Sequence, residues 1–153
     1  MAHPDPAIRQ KGLLCLDVMG AKARLIGTKF VTLCTGTRDA ADQWRHHPDN
    51  SSADAWRDMI ASLRRAVELA DRHDLYLGIE PELSNIVCNI DVAERLFVEL
   101  PSPRLKLVLD PANLFEIAST SQVSRLVEHA VEKLGPCIAM AHAKDRDARS
   151  EEH

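Results

Sequence analysis

Three short apolar runs, each ending in an ionisable side chain, constrain the fold of this chain more than any other feature. They span residues 75–80, 105–110 and 137–142. Each run is brief and aliphatic and is followed by proline or small residues, which is typical of a buried parallel strand. The last residues of the runs are separated by 30 and then by 32 positions, about the length of one strand and one helix. This spacing predicts successive strand-helix units.

Helical patterns alternate with these runs and with one further strand. The helices are predicted at residues 6–26, 52–73, 91–100 and 121–134, and the further strand at residues 29–34. The first helix carries apolar residues at three- and four-residue steps, which indicates one buried face. Those residues are Ile8, Leu13, Leu16, Met19, Ala23 and Ile26. The alternation predicts one α/β domain over residues 1–153, with a parallel sheet and a disordered polar tail at 145–153.

Composition and charge exclude several classes of protein. The chain is 45% hydrophobic and 27% charged, as a globular domain requires. A net charge of -4 gives no electrostatic reason to expect nucleic acid as a partner, and no apolar run approaches the ~20 residues that cross a bilayer. The four cysteines form no CxxC pair and no signal sequence is visible, so we expect reduced thiols and a cytoplasmic location.

The ionisable ends of the three runs are Glu80, Asp110 and His142. Because the carboxyl ends of parallel strands meet at one edge of a sheet, we expect these side chains to lie together. Two carboxylates and an imidazole suit Mn²⁺, Mg²⁺, Co²⁺ or Zn²⁺. Such a site can move a proton beside a carbonyl, because the ion stabilises the enediolate while a carboxylate takes the proton. The alternative for each carboxylate is a purely structural helix cap.

A polar loop at residues 35–50 is longer than most connections between a strand and a helix. It carries Arg38, Trp44, His46 and His47 and is expected at the same edge as the three ionisable residues. One interpretation is a cover for a small polar ligand. The other is a solvated loop in which Trp44 packs onto the body of the domain.

Several segments carry a resemblance to a known family. They are residues 78–82 (GIEPE), 108–114 (VLDPANL) and 142–145 (HAKD), with residues 3–5 and 34–38 in support. Together they resemble sugar-phosphate isomerases and epimerases of the xylose isomerase-like TIM-barrel superfamily. The superfamily also contains tagatose-type ketose epimerases and the AP endonuclease IV group.

The resemblance implies a partial (β/α)8 barrel made of about four strands, the fourth to the seventh of the family. It implies that Glu80 is both a metal ligand and the catalytic acid or base, and that Asp110 and His142 are further ligands. The residues that it places near a small sugar or sugar-phosphate substrate are Arg38, Asn113, Lys144 and Asp145. The activity implied is isomerisation or epimerisation of a ketose or aldose.

Two departures from the family pattern matter. Asn113 stands where family members commonly have a histidine, which the trinuclear zinc endonucleases use as a ligand, and this argues against DNA repair. The family's eighth strand, with a fourth ligand glutamate, has no counterpart after His142. Four strands leave sheet edges unpaired, which predicts a homodimer. The alternatives are a non-catalytic half-barrel for binding or oligomerisation, and a metal-dependent hydrolase or lyase of the same superfamily.

Overall fold

The computed structural model describes residues 1–116 and 119–143. Within these residues, four helices alternate with four strands, as the sequence predicts. In chain order they are α1 (Pro6–Leu25), β1 (Phe30–Leu33), α2 (Ala53–His73), β2 (Tyr76–Ile79), α3 (Ile90–Glu99), β3 (Leu105–Leu109), α4 (Thr120–Leu134) and β4 (Ile138–Ala141). Short 3₁₀ turns at Pro48–Ser51, Pro111–Leu114 and Gly135–Cys137 complete the connections. The predicted tail at 145–153 lies outside the described residues.

The described strands form one parallel sheet in the order β1-β2-β3-β4. Leu33 pairs with Ile79, so β1 and β2 end at the same level. Because all strands run in the same direction, their carboxyl ends share one edge of the sheet. The amino ends share the other.

Local sequence chemistry sets the helix ends. Asp5 accepts a hydrogen bond from the backbone N–H of Ala7 at 2.8 Å, and Pro6 supplies the first turn of α1. Ser52 caps α2 in the same way, accepting from Ala55 at 3.1 Å. Asp74 ends α2 in the left-handed conformation, with φ of 53°, which aspartate tolerates better than most residues.

One face of the sheet packs against the helices and forms the core. Leu77, Ile79 and Leu107 are fully buried on this face. An apolar stripe of α2 covers this face, and its members are buried except for Val67, which is half-buried. They are Trp56, Met59, Ile60, Leu63, Val67 and Ala70. Burial of such side chains, at about 25 cal/mol per Å² of apolar surface, supplies most of the stabilisation of the fold.

The predicted buried face of α1 is wrong in part. Leu13, Leu16 and Ala23 are buried, but Met19 and Ile26 are 51% and 80% exposed, and Ile8 is also exposed. The reason is that α1 packs on α2 along a narrow stripe centred on Gly20, whose missing Cβ makes room for the ring of His73. Met19 and Ile26 instead line an open groove beside the outer edge of β1.

The opposite face of the sheet carries the alternate residues of each strand. Gly78 lies here between the ring of Phe30 and the side chain of Val108, either of which an added Cβ would meet at under 3 Å. Tyr76 and Met140 remain 38% exposed. Within the described residues, no helix combines the length and the apolar character needed to cross a membrane.

Candidate metal centre

Three successive strands deliver Glu80, Asp110 and His142 to the carboxyl edge of the sheet. Each residue directly follows a strand, so the strands end one residue earlier than predicted. Each also lies two positions beyond a strand residue on the face opposite the helices. Those strand residues are Gly78, Val108 and Met140, respectively, and Val108 pairs with Met140 across β3 and β4. Because side chains alternate between the faces, the three ionisable groups continue that face.

The structure brings the three side chains into one cluster. One ligand atom from each residue lies within 4.8 Å of the others. His142 Nδ1 is 3.1 Å from Asp110 Oδ2 and 3.4 Å from Glu80 Oε1. The side chain of Asp110 is 0% exposed, that of Glu80 is 15% and that of His142 is 37%. The cluster is therefore closed at Asp110 and open to solvent at His142.

Backbone contacts fix the position of each member. The N–H of Glu80 donates to the carbonyl of Leu33, and the N–H of His142 donates to the carbonyl of Leu109 at 2.9 Å. Asp110 Oδ1 accepts from the N–H of Ala112 at 3.1 Å and so caps the following 3₁₀ turn. One oxygen of Asp110, Oδ1, thus acts as a helix cap. The other, Oδ2, faces His142 and is the candidate metal ligand.

Asn113 holds Glu80 in place. Its side-chain amide donates to Glu80 Oε1 at 2.8 Å, and its backbone N–H donates to the carbonyl of Asp110 at 3.1 Å. Its own carbonyl accepts from the N–H of Leu83 at 3.2 Å. Asn113, predicted as a substrate neighbour, therefore connects the loops that follow β2 and β3.

The other predicted substrate residues are placed differently. The guanidinium of Arg38 forms an ion pair with Asp58 of α2 at 3.0 Å and donates to the carbonyl of Ala2. Its side chain is largely buried in these contacts. Lys144 and Asp145 lie outside the described residues.

Sequence reasoning missed Cys34, which stands at the end of β1 as Glu80 does at the end of β2. Burial raises the pKa of the Cys34 thiol, and the negative charges of Glu80 and Glu82 raise it further. The signal was available, because the run 29–34 ends in a side chain with the same register as the other three.

Glu82 is a second residue that sequence reasoning did not place at the site. Its carboxylate accepts from the hydroxyl of Ser84 and from the amide of Asn85. Asn85, buried, in turn accepts from the N–H of Gly36 at 2.5 Å. This chain of hydrogen bonds joins the loop after β1 to the loop after β2 and fixes the rim around the cluster.

The donor set fits a divalent cation. Two carboxylates so close together need positive charge between them, and an imidazole beside them adds a nitrogen ligand. Three protein ligands leave coordination positions for substrate oxygens, as catalytic sites require. Glu80, Asp110 and His142 are the residues that would hold the ion.

Comparison with known proteins supports the assignment of the fold. The family model described as "Xylose isomerase-like TIM barrel" matches residues 1–153. No curated protein matches the sequence at a significant level.

Solved structures of about twice the length share the fold. The probable 3-DHS dehydratase AsbF from Bacillus anthracis matches 94% of this chain and 47% of its own, with 17% identity and a TM-score of 0.73. The 3-keto-D-glucoside 4-epimerase YcjR from E. coli matches 94% and 54%, with 16% identity and a TM-score of 0.73. A xylose isomerase-like TIM-barrel protein from Mycobacterium smegmatis, in complex with magnesium, matches 95% and 50%, with 16% identity and a TM-score of 0.69. The chain thus spans about half the length of these structures, and its sheet is half of a TIM barrel.

Proposed function

The chain belongs to the xylose isomerase-like TIM-barrel family, and from this premise we propose that it is a metal-dependent isomerase or epimerase of a small sugar or sugar phosphate. The reaction is proton transfer at a carbon beside a carbonyl, through an enediolate of a ketose or aldose. The observation that carries the proposal is the convergence of two carboxylates and one imidazole, from three successive strands, to within 4.8 Å. We expect it to act in the cytoplasm, without nucleic acid or membrane as a partner.

The cofactor is proposed to be Mn²⁺, Mg²⁺, Co²⁺ or Zn²⁺, and the magnesium complex of the structural neighbour from M. smegmatis supports a divalent ion. When bound, such an ion polarises the substrate carbonyl and stabilises negative charge on its oxygen. Asp110 would be the buried, fixed ligand, because its side chain is inaccessible to solvent and its Oδ1 caps the following 3₁₀ turn. His142 is the ligand at the open mouth.

Glu80 is the proposed proton carrier as well as a ligand. Asn113 fixes the orientation of its carboxylate through Oε1, so little conformational freedom is lost when substrate binds. A carboxylate within hydrogen-bond reach of the substrate carbon can take the proton from one position and return it at another. Asn113, Lys144 and Asp145 remain the proposed substrate-binding residues, whereas the guanidinium of Arg38 is engaged by Asp58 and by the carbonyl of Ala2.

A metal-dependent lyase is the second candidate, and one observation favours it. AsbF, which shares the fold, is described as a probable dehydratase. A dehydration that begins with loss of a proton beside a carbonyl uses the same base and the same cation. A hydrolase would instead need the ion to activate water, and a non-catalytic half-barrel would keep the fold without turnover.

We also propose that the protein is a homodimer. The outer edges of β1 and β4 have no strand partner among the described residues, and the groove beside β1 exposes Met19 and Ile26. A second copy that pairs with these edges would cover both features. Light scattering at micromolar concentration should give the mass of a dimer, and a folded monomer would contradict this part of the proposal.

Metal titration tests the centre. Calorimetry with Mn²⁺ should give saturable binding to the wild type and none to the triple variant Glu80→Ala, Asp110→Ala, His142→Ala. Circular dichroism of both proteins shows whether the variant keeps the fold. Equal, negligible binding by two folded proteins would rule out the metal centre.

Proton exchange tests the reaction class. A panel of ketoses incubated in heavy water with the metal-loaded protein should take up deuterium beside the carbonyl. Exchange that disappears in the Glu80→Gln variant, at a Mn²⁺ concentration high enough to saturate the variant despite its weaker binding, would assign the base. Formation of an unsaturated product with loss of water would favour the lyase, and no exchange with any sugar would leave the non-catalytic alternative.

A further inference from the structure

An open cleft of about 630 Å³ lies beside the candidate metal centre. It is lined by residues 44–46 of the loop after β1, by residues 82–84 of the loop after β2 and by Glu116. Its volume falls in the range of roughly 300–1,000 Å³ that is usual for small-molecule sites. Neither Glu80, Asp110 nor His142 lines it, so the cleft is a separate compartment next to them.

One residue connects this cleft to the metal centre. The N–H of Leu83, in the cleft wall, donates to the carbonyl of Asn113, and the side chain of Asn113 donates to Glu80 Oε1. Two hydrogen bonds through Asn113 therefore connect the cleft to the proposed proton carrier. A substrate whose reactive carbon lies at Glu80 would extend its remaining part into this space.

Trp44 projects from a fixed loop at the cleft. It is 62% exposed, which contradicts the interpretation that it packs onto the body of the domain. The backbone N–H of Trp44 donates to Asp42 Oδ1 at 2.9 Å, and the carbonyl of Arg45 accepts from the hydroxyl of Thr37 at 3.0 Å. The loop therefore presents the ring of Trp44 to the cleft that it lines, and an indole offers a flat apolar face together with a polar N–H.

The charge of the cleft is negative. Glu82 and Glu116 contribute two carboxylates. Arg45 also lines the cleft, but its positive charge is already paired, because the guanidinium donates to Asp39 Oδ2 at 2.5 Å. That guanidinium, together with backbone N–H groups, holds the pKa of Asp39 well below its usual range. A dianionic phosphate would meet repulsion here, whereas hydroxyl groups would find acceptors.

We propose that this cleft binds the distal part of a neutral sugar or glycoside, whose C–H face stacks on Trp44 and whose hydroxyls donate to Glu82 and Glu116. The inference rests on the proposed function and narrows its substrate from a sugar or sugar phosphate to an unphosphorylated sugar. An aromatic face with a few polar groups is the usual composition of a small-molecule site.

Tryptophan fluorescence tests the inference, because the chain has two tryptophans, Trp44 and Trp56, and Trp56 is buried. The probes are D-fructose, methyl β-D-glucopyranoside and D-fructose 6-phosphate, each added to the metal-loaded protein. At least one neutral probe should quench the wild type with a Kd tighter than about 10 mM, and the phosphate should bind at least about tenfold more weakly than that probe. The Trp44→Phe variant, which keeps Trp56, should lose the signal.

Several outcomes would overturn the inference. They are undiminished quenching in Trp44→Phe, no quenching by either neutral probe, and tighter binding of the phosphate than of both neutral probes. The Glu116→Gln variant should bring the affinities for neutral and phosphorylated probes closer by about two- to threefold, because one negative charge is removed. The matched variant Glu128→Gln, on the exposed surface of α4, should leave the ratio unchanged.

The failure of this inference can be told apart from failure of the proposed function. Calorimetry with Mn²⁺ reports on the metal centre alone, and Trp44→Phe should leave that affinity unchanged. Metal binding without Trp44-dependent quenching would retain the proposed function and discard the cleft. Quenching by neutral sugars without metal binding would retain the cleft as a sugar site and discard the proposed metal-dependent function.

Discussion

The two edges of the sheet use acidic residues in opposite ways. At the amino edge, Asp74 pairs with Lys29 and with Arg104, and Arg104 also contacts Asp71. At the carboxyl edge, the groups that contact Glu80 among the described residues are the imidazole of His142 and the amide of Asn113. The amino edge therefore carries its own fixed cations, whereas the carboxyl edge gathers ligands. The difference separates a surface that stabilises the fold from one built to receive a positive charge.

Solvent exposure sharpens the contrast. The side chains of Lys29 and Asp74 are both more than half exposed, so water and salt screen their attraction and each such pair contributes little. Asp110 is fully buried, where electrostatic interactions are stronger and rearrangement is smaller. The same residue type is thus expected to matter far more at the carboxyl edge.

The largest expected effect comes from a matched pair of substitutions, Asp110→Asn and Asp74→Asn. In Asp110→Asn the Oδ1 cap of the 3₁₀ turn is kept, but an amide replaces the charged Oδ2 that faces His142. We expect Mn²⁺ affinity to fall by at least about 100-fold, because removing a ligand costs more than removing an outer-shell partner. Asp74→Asn should leave the affinity unchanged, and calorimetry measures both.

Glu80→Gln provides a second test should Asp110→Asn fail to fold. If a folded Glu80→Gln protein lost less than about tenfold in Mn²⁺ affinity, the role of Glu80 as a ligand would be contradicted. If Asp74→Asn and Asp110→Asn lowered the Mn²⁺ affinity equally, the proposed distinction between the two edges of the sheet would be wrong.

A substitution midway between the edges tests the sheet that joins them. Gly78 lies on β2, two residues before Glu80, and a Cβ there would approach the ring of Phe30 to 2.6 Å and Val108 Cγ2 to 2.7 Å. Gly78→Ala should lower the free energy of unfolding by about 1–2 kcal/mol, the cost of overpacking less the gain in backbone entropy. Urea denaturation measures this value.

Gly12→Ala is the matched control for Gly78→Ala. Gly12 lies within α1, and nothing surrounds its missing Cβ within 4 Å. Alanine there should stabilise the protein by about 0.5–1 kcal/mol through helix propensity. Destabilisation by both substitutions, or by neither, would contradict the close packing described at Gly78.

The third prediction concerns Asn113, which contacts Glu80 without joining the donor set. Asn113→Ala frees the carboxylate of Glu80 from a fixed donor and should weaken Mn²⁺ binding about tenfold. Asn89→Ala is its control, because Asn89 caps α3 through the N–H of Val92. That variant should lose about 1 kcal/mol of stability and keep its metal affinity.

The alternation of elements could be predicted from the sequence, because its signals are local. Short aliphatic runs, proline and capping residues mark each boundary to within a few positions, as at Asp5 and Ser52. The burial of α1 could not be predicted in full. Periodicity identifies an apolar face, but which part of it another element covers depends on the neighbour, and Met19 and Ile26 face an open groove.

In the candidate site, too, the features with a local sequence signal could be predicted and those that depend on neighbouring loops could not. The convergence of Glu80, Asp110 and His142 was predictable, because a period of two and parallel strands fix where a strand-end side chain lies. The contact of Asn113 with Glu80 depends on how two loops fold together, and the sequence holds no periodic signal for that. The exposure of Trp44 was equally beyond reach, since a loop rich in Asp and Thr can bury or present a neighbouring aromatic ring.

The smallest expected effect belongs to the amino edge and depends on pH. Hydrogen bonds from Lys29 and then from Arg104 lower the pKa of Asp74 to about 2, whereas an unfolded aspartate titrates near ~3.9. A lowered pKa means that this carboxylate stabilises the fold above about pH 4 and loses that contribution as the pH falls through about 2.

Comparison of the wild type with Asp74→Asn isolates this contribution, because asparagine also accepts the left-handed backbone at this position. The difference between their urea midpoints should be small at pH 5 and should shrink further as the pH approaches 2. High salt should reduce it at every pH, since the group is exposed and screened. A difference that stays constant from pH 5 to pH 2 would show that the cations of the amino edge do not hold this carboxylate, and the contrast between the two edges would then depend on the carboxyl edge alone.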